Sequence, residues 1–369
     1  MNRIFVFMKP APMQNSSPVV SLTSTITFLF IFLLTLIHFN GIAQDTSNTK
    51  LILPAVNPDV LKRIDSTRIS NNISQIQQFS ITDAPTPAPI KKRVRLITAI
   101  NIAGYGGSLI LLNQAWYAQY PRSSFHFFND NKEWLQVDKV GHAWTAYNTG
   151  KASTEMWRWT GMNKKKAAIL GGLSGAAYLT VIEILDGFSK EWGFSPGDMA
   201  ANVLGSGLYL GQELTWGEQR IQYKFSFHRK NYGAPLLNQR ADDLFGNSWY
   251  ERMLKDYNGQ AYWFSANLHS FFPKSNLPAW LNVAVGYGAE GMFGGFENVG
   301  YDKNGAISFD RRDIQRYRQW YLAPDIDFTK IKTNKKWLRT TLHILNAFKF
   351  PAPTLELSKG KITLHAVYF

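Results

Sequence analysis

Near residue 219 the hydrophobic period of this chain changes from that of a helix to that of a strand. That change restricts the chain to a helical part followed by a sheet part. Upstream stand four apolar segments of helical length: Val94 to Tyr117, Val137 to Trp159, Lys164 to Phe188 and Pro196 to Trp216. Ser195 before Pro196 supplies an N-cap ahead of a proline suited to the first helical position. Downstream, Ile221, Tyr223, Phe225 and Phe227 alternate with Gln222, Lys224, Ser226 and His228, the pattern of a half-buried strand. Further strands are expected at Ala261 to His269, Trp280 to Phe293, Arg316 to Phe328, Thr354 to Leu357 and Lys361 to Phe369. Asn304-Gly305 marks a tight hairpin, and Ser358-Lys359-Gly360 joins the last pair. The expected class is α+β, a helical bundle followed by an antiparallel β region.

The β region is compatible with a partial or complete membrane barrel and with a periplasmic sheet. The alternation Ile362, Leu364, Ala366, Tyr368 runs up to Phe369, an aromatic ending typical of outer-membrane barrels. Thr363, His365 and Val367, which share a side with Phe369, are less apolar than a lipid-facing row requires, and single-chain bacterial barrels begin at about eight strands. Among the helices, small residues recur at four-residue spacing: Gly171 and Gly175, Ala201 and Gly205, Gly207 and Gly211. That spacing lets helix backbones approach closely, in a membrane or in water.

Four sections follow from composition: 1–43, 44–92, 93–218 and 219–369. The first has Arg3 and Lys9, no acidic residue, an apolar run from Ile26 to Ile37 and a small-residue exit at Gly41-Ile42-Ala43. This is the pattern of a secretory signal, and its apolar core is shorter than the roughly 20 residues of a spanning helix. The second is a polar tether, with a short helix around Val60 to Gln78 and a stiff Pro-alternating end at 84–89. The expected location is therefore the periplasm or outer membrane, with inner-membrane association as an alternative. The cluster Lys91, Lys92, Arg93, Arg95 before the first helix opposes an inner-membrane span in an exported chain.

The 369 residues contain no cysteine, so disulfides, thiolate metal sites and lipid attachment through cysteine are excluded. The net charge is +14 and aromatic residues make up 14%. In an exported chain such a balance suits anionic lipid headgroups or lipopolysaccharide rather than nucleic acid.

Three polar pairs sit at helical spacing within apolar segments: Asp138 and His142, Glu183 and Asp186, Asp198 and Asn202. Separations of three and four place each pair on one helix face, and Lys139 adjoins the first. The order Asp138-Lys139-x-x-His142, Glu183-x-x-Asp186-Gly187, Asp198-x-x-Ala201-Asn202-x-x-Gly205 resembles the YfiM-type family of predicted periplasmic lipoproteins of unknown function. Its broader motif order is similar to the VanZ-like membrane proteins linked to glycopeptide resistance. The resemblance covers about Trp134 to Gln212, and the missing cysteine departs from the lipoprotein pattern.

Carboxylates and an imidazole in an apolar setting have two uses. His142, Glu183, Asp186 and Asp198 are candidates for acid–base catalysis or for holding a divalent cation. Asp138, Lys139 and Asn202 fit a polar network that pairs with itself or binds a ligand. Network and binding roles are favoured, because HExxH, G-x-S-x-G and a nucleotide P-loop are all missing from the sequence. Gly286-x-Gly288-x-x-Gly291 matches a dinucleotide fingerprint in letters only, since Gly294-Gly295 follows where a helix should begin. Asp302-Lys303-Asn304-Gly305 is a turn rather than a calcium loop.

Overall fold

The computed structural model describes residues 89–115, 121–302 and 304–368. The expected export segment, most of the tether with its short helix, and Phe369 lie outside them. Four helices come first: α1 (Lys91–Ala115), α2 (Val137–Trp159), α3 (Lys164–Asp186) and α4 (Pro196–Thr215). All four lie where the hydrophobic period places them. Ser195 caps α4, its Oγ accepting a hydrogen bond from the Asp198 amide at 3.0 Å.

Helices α2, α3 and α4 touch through glycine. A Cβ on Gly171 would overlap the backbone of Thr154, and one on Gly205 would overlap the carbonyl oxygen of Ala143. Gly207 and Gly211, expected to serve the same purpose, have open space around them and mediate no contact. Among the described residues, α3 is the one helix long and apolar enough to cross a membrane, by length and composition alone.

The remainder is β-rich: β1 (Ile221–Phe227), α5 (Pro235–Phe245), α6 (Trp249–Lys255), β2 (Gln260–Asn267), β3 (Leu281–Glu290), β4 (Val299–Tyr301), β5 (Ile307–Asp310), β6 (Tyr317–Ile326), α7 (Lys336–Leu345), β7 (Ala352–Ser358) and β8 (Lys361–Tyr368). Six strands form one antiparallel sheet in the order β1-β2-β3-β6-β7-β8, and β4-β5 is a separate hairpin about the Asn304-Gly305 turn. Among the described residues β1 and β8 do not pair and the complete-barrel alternative is not realised, although the outer edge of β1 is bridged at Phe225 by backbone hydrogen bonds to Ala347 and Lys349, just ahead of β7.

Register assigns every strand residue to one of two faces. One face carries Tyr223 opposite Phe264, Tyr287 opposite Trp320, Leu322 opposite Leu355, and Leu357 opposite Ile362. On β1 and β2 this apolar face packs under α2, where Val137, Tyr147, Tyr209, Tyr223, Phe225 and Tyr262 form the main core. Each such side chain, fully buried, is worth about 1.5–3 kcal/mol.

The other face carries polar side chains around a small cluster of Ala261, Trp263, Ala284, Tyr321 and Ala323, and it is the better buried. Lys224 pairs with Asp325 at 2.8 Å, both with fully covered side chains. Ser265 Oγ donates to Asp325 at 2.6 Å, and Asn282 Nδ2 donates to Ser265 Oγ at 2.8 Å. Curvature produces this cover: Tyr368 on β8 stacks on Tyr321 and makes an edge contact with His228, just beyond β1.

On β8 the outward row is Ile362 and Leu364, not the row containing Thr363 and His365. Those two pair across the polar face with Glu356 and Thr354. A register irregularity between Ala352 and Thr354 then brings Tyr368 onto the polar side as well. The apolar weakness of the Thr363–His365 row is therefore no argument against a lipid-facing sheet.

Candidate functional site

The polar pairs meet where α2, α3 and α4 come together. Lys139 on α2 is the hub, its ammonium 2.7 Å from Asp130, 2.8 Å from Asp198 and 3.4 Å from Asp138. One turn along, His142 Nε2 stands 3.8 Å from Asp198 and 4.0 Å from Asp138. Its Nδ1 faces Asn202 Oδ1 at 3.2 Å and Glu183 at 3.7 Å. Ser195 ties the cluster to the α4 cap, its hydroxyl donating to Asp130 at 2.6 Å. From the β side, Tyr257 donates to Asp138 at 2.7 Å.

Six of the seven expected site residues come together: Asp138, Lys139, His142, Glu183, Asp198 and Asn202. Asp186, the last residue of α3, stands outside the convergent Asp138–His142–Asp198 group and acts on Glu183 as a nearby negative charge. Asp130 and Tyr257 also belong to the cluster, although neither stands at helical spacing from the other members. The nearest sequence signal for Asp130 is its place in Asn129-Asp130-Asn131, a polar run just ahead of an apolar helix.

The approach to α2 is unusual. Trp134, Leu135 and Gln136 all have positive φ (46°, 50° and 67°), a conformation that costs side-chain-bearing residues energy and persists only where the surroundings enforce it. Here the sheet enforces it: Tyr287 donates its hydroxyl proton to the Leu135 carbonyl, and Arg318 donates to Gln136 Oε1 at 2.6 Å.

Burial and mutual charge set the protonation states. Burial first, then the negative charges of Asp198 and Asp186, raises the Glu183 carboxyl to about 8. Burial likewise raises Asp198 to about 6, with Asp138 adding to the shift and His142 and Lys139 opposing it. For His142 and Lys139 burial favours the neutral form, but the surrounding carboxylates outweigh it and raise both. At neutral pH the cluster is thus a cationic Lys139 among carboxylates, with a proton held on Glu183.

Asp138, His142 and Asp198 offer ligand atoms that all lie within 4.8 Å of one another. One imidazole and two carboxylates could coordinate a divalent cation, in competition with Lys139, whose ammonium neutralises the same oxygens.

A pH prediction follows. Raised carboxyl values mean that the folded chain holds protons the unfolded chain releases. The contribution of Glu183 is complete below about 4.5 and is lost as pH rises through about 8, and Asp198 acts in the same direction between 3.8 and about 6. Each tenfold difference in proton affinity between the folded and unfolded chain corresponds to about 1.4 kcal/mol. Glu183→Gln should match the native protein at pH 4 and melt at a higher temperature than it at pH 8. Equal declines for both proteins between these pH values would contradict the assignment.

No curated protein and no solved structure matches the chain significantly. The match that does exist falls on the helical part and includes every member of the cluster except Tyr257. It agrees with the resemblance to predicted periplasmic lipoproteins and lends nothing to the VanZ-like one. Residues 126–210, under a quarter of the chain, are similar to a family described as predicted periplasmic lipoproteins, DUF2279.

Proposed function

We propose that this chain is a non-enzymatic protein of the cell envelope that binds lipid, with an exported 93–218 helical domain and a 219–369 β domain joined across the site. The family similarity supports the periplasmic side of the envelope. The sequence has no cysteine, so lipid attachment through a cysteine thiol is not part of this reading.

The observation that carries the lipid reading is a cavity of about 390 Å³ between Val140 of α2 and the apolar face of the sheet. Tyr223, Tyr262, Phe264, Val285 and Trp320 line it, and Arg318 is its one charged lining residue. Register puts Arg318 beyond Trp320, at the end of the row. An apolar trough with a single guanidinium at its end suits an acyl chain bearing an anionic headgroup, since guanidinium binds phosphate and carboxylate in bidentate fashion. The volume lies within the range of about 300–1,000 Å³ usual for small-molecule sites.

Native mass spectrometry of the detergent-purified protein tests this. The native chain should retain phosphatidylglycerol, and Arg318→Ala should bind it about tenfold more weakly, the loss expected for one charged hydrogen bond. Equal retention by both proteins would remove the reading.

The rival reading is a hydrolase or transferase acting on a lipid-linked envelope intermediate. His142 would serve as base, and Glu183, Asp186 or Asp198 as metal or proton partners. What favours it is an imidazole within 4.0 Å of three carboxylates. His142→Ala separates the two. Loss of an envelope phenotype at an unchanged melting temperature supports catalysis, and joint loss of phenotype and stability supports the network.

A further inference from the structure

The sheet is inverted relative to a sheet folded in water. Its covered face holds Lys224, Asp325, Ser265 and Asn282, while its apolar face is bare wherever α2 does not reach. Leu322, Leu355, Leu357, Ile362 and Leu364 are between 43% and 74% exposed, and all point to that same side. A soluble sheet places its apolar row inward, whereas sheets in lipid place polar residues inside and apolar residues outside.

Length and charge agree with a lipid solvent. β3 and β6 are 10 residues each, the length of a membrane strand at about 9–11 residues. The apolar side of these strands, of β7 and of β8 carries no acidic residue and one cation, Arg318 near the end of β6. At one end of the sheet stand the exposed Lys359 and Lys361, with Lys359 over the ring of Tyr317. Segments leaving the other end carry exposed Trp280, Lys274 and Lys332. Cations and aromatic rings at both ends of an apolar band complement anionic headgroups.

We infer that the apolar face of β3, β6, β7 and β8 is set in the hydrocarbon of a bilayer, with the cations at the strand ends on anionic headgroups. This goes beyond the acyl-chain cavity, which requires one lipid molecule rather than a membrane.

A chain without cysteine allows a direct test. Leu355→Cys, Leu364→Cys and, as a control in the β4–β5 turn, Asn304→Cys would each carry an environment-sensitive dye on the full-length protein. Each would then be reconstituted into vesicles of phosphatidylethanolamine and phosphatidylglycerol. Dyes at positions 355 and 364 should be quenched by doxyl groups on the lipid acyl chains and lose quenching by aqueous iodide; the dye at 304 should behave in the opposite way. Iodide quenching at all three positions would overturn the inference. So would an absence of quenching by either agent at 355 and 364, because protein would then cover the face. Phosphatidylglycerol retention in detergent and quenching at positions 355 and 364 in vesicles are separate readouts, so that failure of the cavity reading and failure of this inference remain distinguishable.

Discussion

Replacing Lys139 with Met should lower the free energy of unfolding by about 3–5 kcal/mol, the usual cost of removing one partner from a buried ionic network. The Lys139 side chain is 12% exposed, and its ammonium lies within 2.8 Å of both Asp130 and Asp198. Without it Asp130, Asp138 and Asp198 would face one another with only His142 to offset them. At roughly 2–4 °C per kcal/mol for a domain of this size, the melting temperature should fall by about 10 °C. A double substitution, Lys139→Met with Asp198→Asn, should recover part of that loss, because the charges left unpaired are what cost stability. If Lys139→Met melts within a degree or two of the native protein, the cluster is not the lock between the helices.

The second large effect concerns glycine and changes sign along one helix. Gly205→Ala would place a methyl group onto the Ala143 carbonyl oxygen of α2. A backbone atom cannot rotate aside, so α2 and α4 must separate, at the upper end of the roughly 1–3 kcal/mol usual for overpacking. Two residues along, Gly207→Ala meets nothing within 4 Å and should stabilise α4 by about 0.5–1 kcal/mol through helix propensity alone. Denaturant midpoints of the two variants should move in opposite directions. A shift of both in the same direction would mean that α4 does not lie on α2 as described.

Much of this fold was legible because period is a local property. α2 begins at Val137 and ends at Trp159 as its pattern predicts, and the six long strands fall within a few residues of their alternating runs. The short helices α5, α6 and α7 were not foreseen, since seven to eleven residues between strands give little periodic signal. For α6 a cue existed in Ser248-x-x-Glu251, which forms a capping box in the structure.

The site was legible for a similar reason: spacings of three and four on α2, α3 and α4 put each pair on one face. Asp130 and Tyr257 reach it from irregular segments, and only the tertiary fold brings them there. Alternation shows that a strand has two faces but not which one is covered. For β8 the answer came from pairing: Leu364 opposite Leu355 and His365 opposite Thr354. The left-handed run Trp134 to Gln136 had no local signal at all, because Tyr287 and Arg318 impose it from the sheet.

Extraction of cell membranes with alkaline carbonate tests the central claim most directly. A chain whose sheet turns Trp320, Leu355 and Leu364 into hydrocarbon should remain in the membrane pellet and be released only by detergent. Release of the full-length protein into the carbonate supernatant would contradict the account.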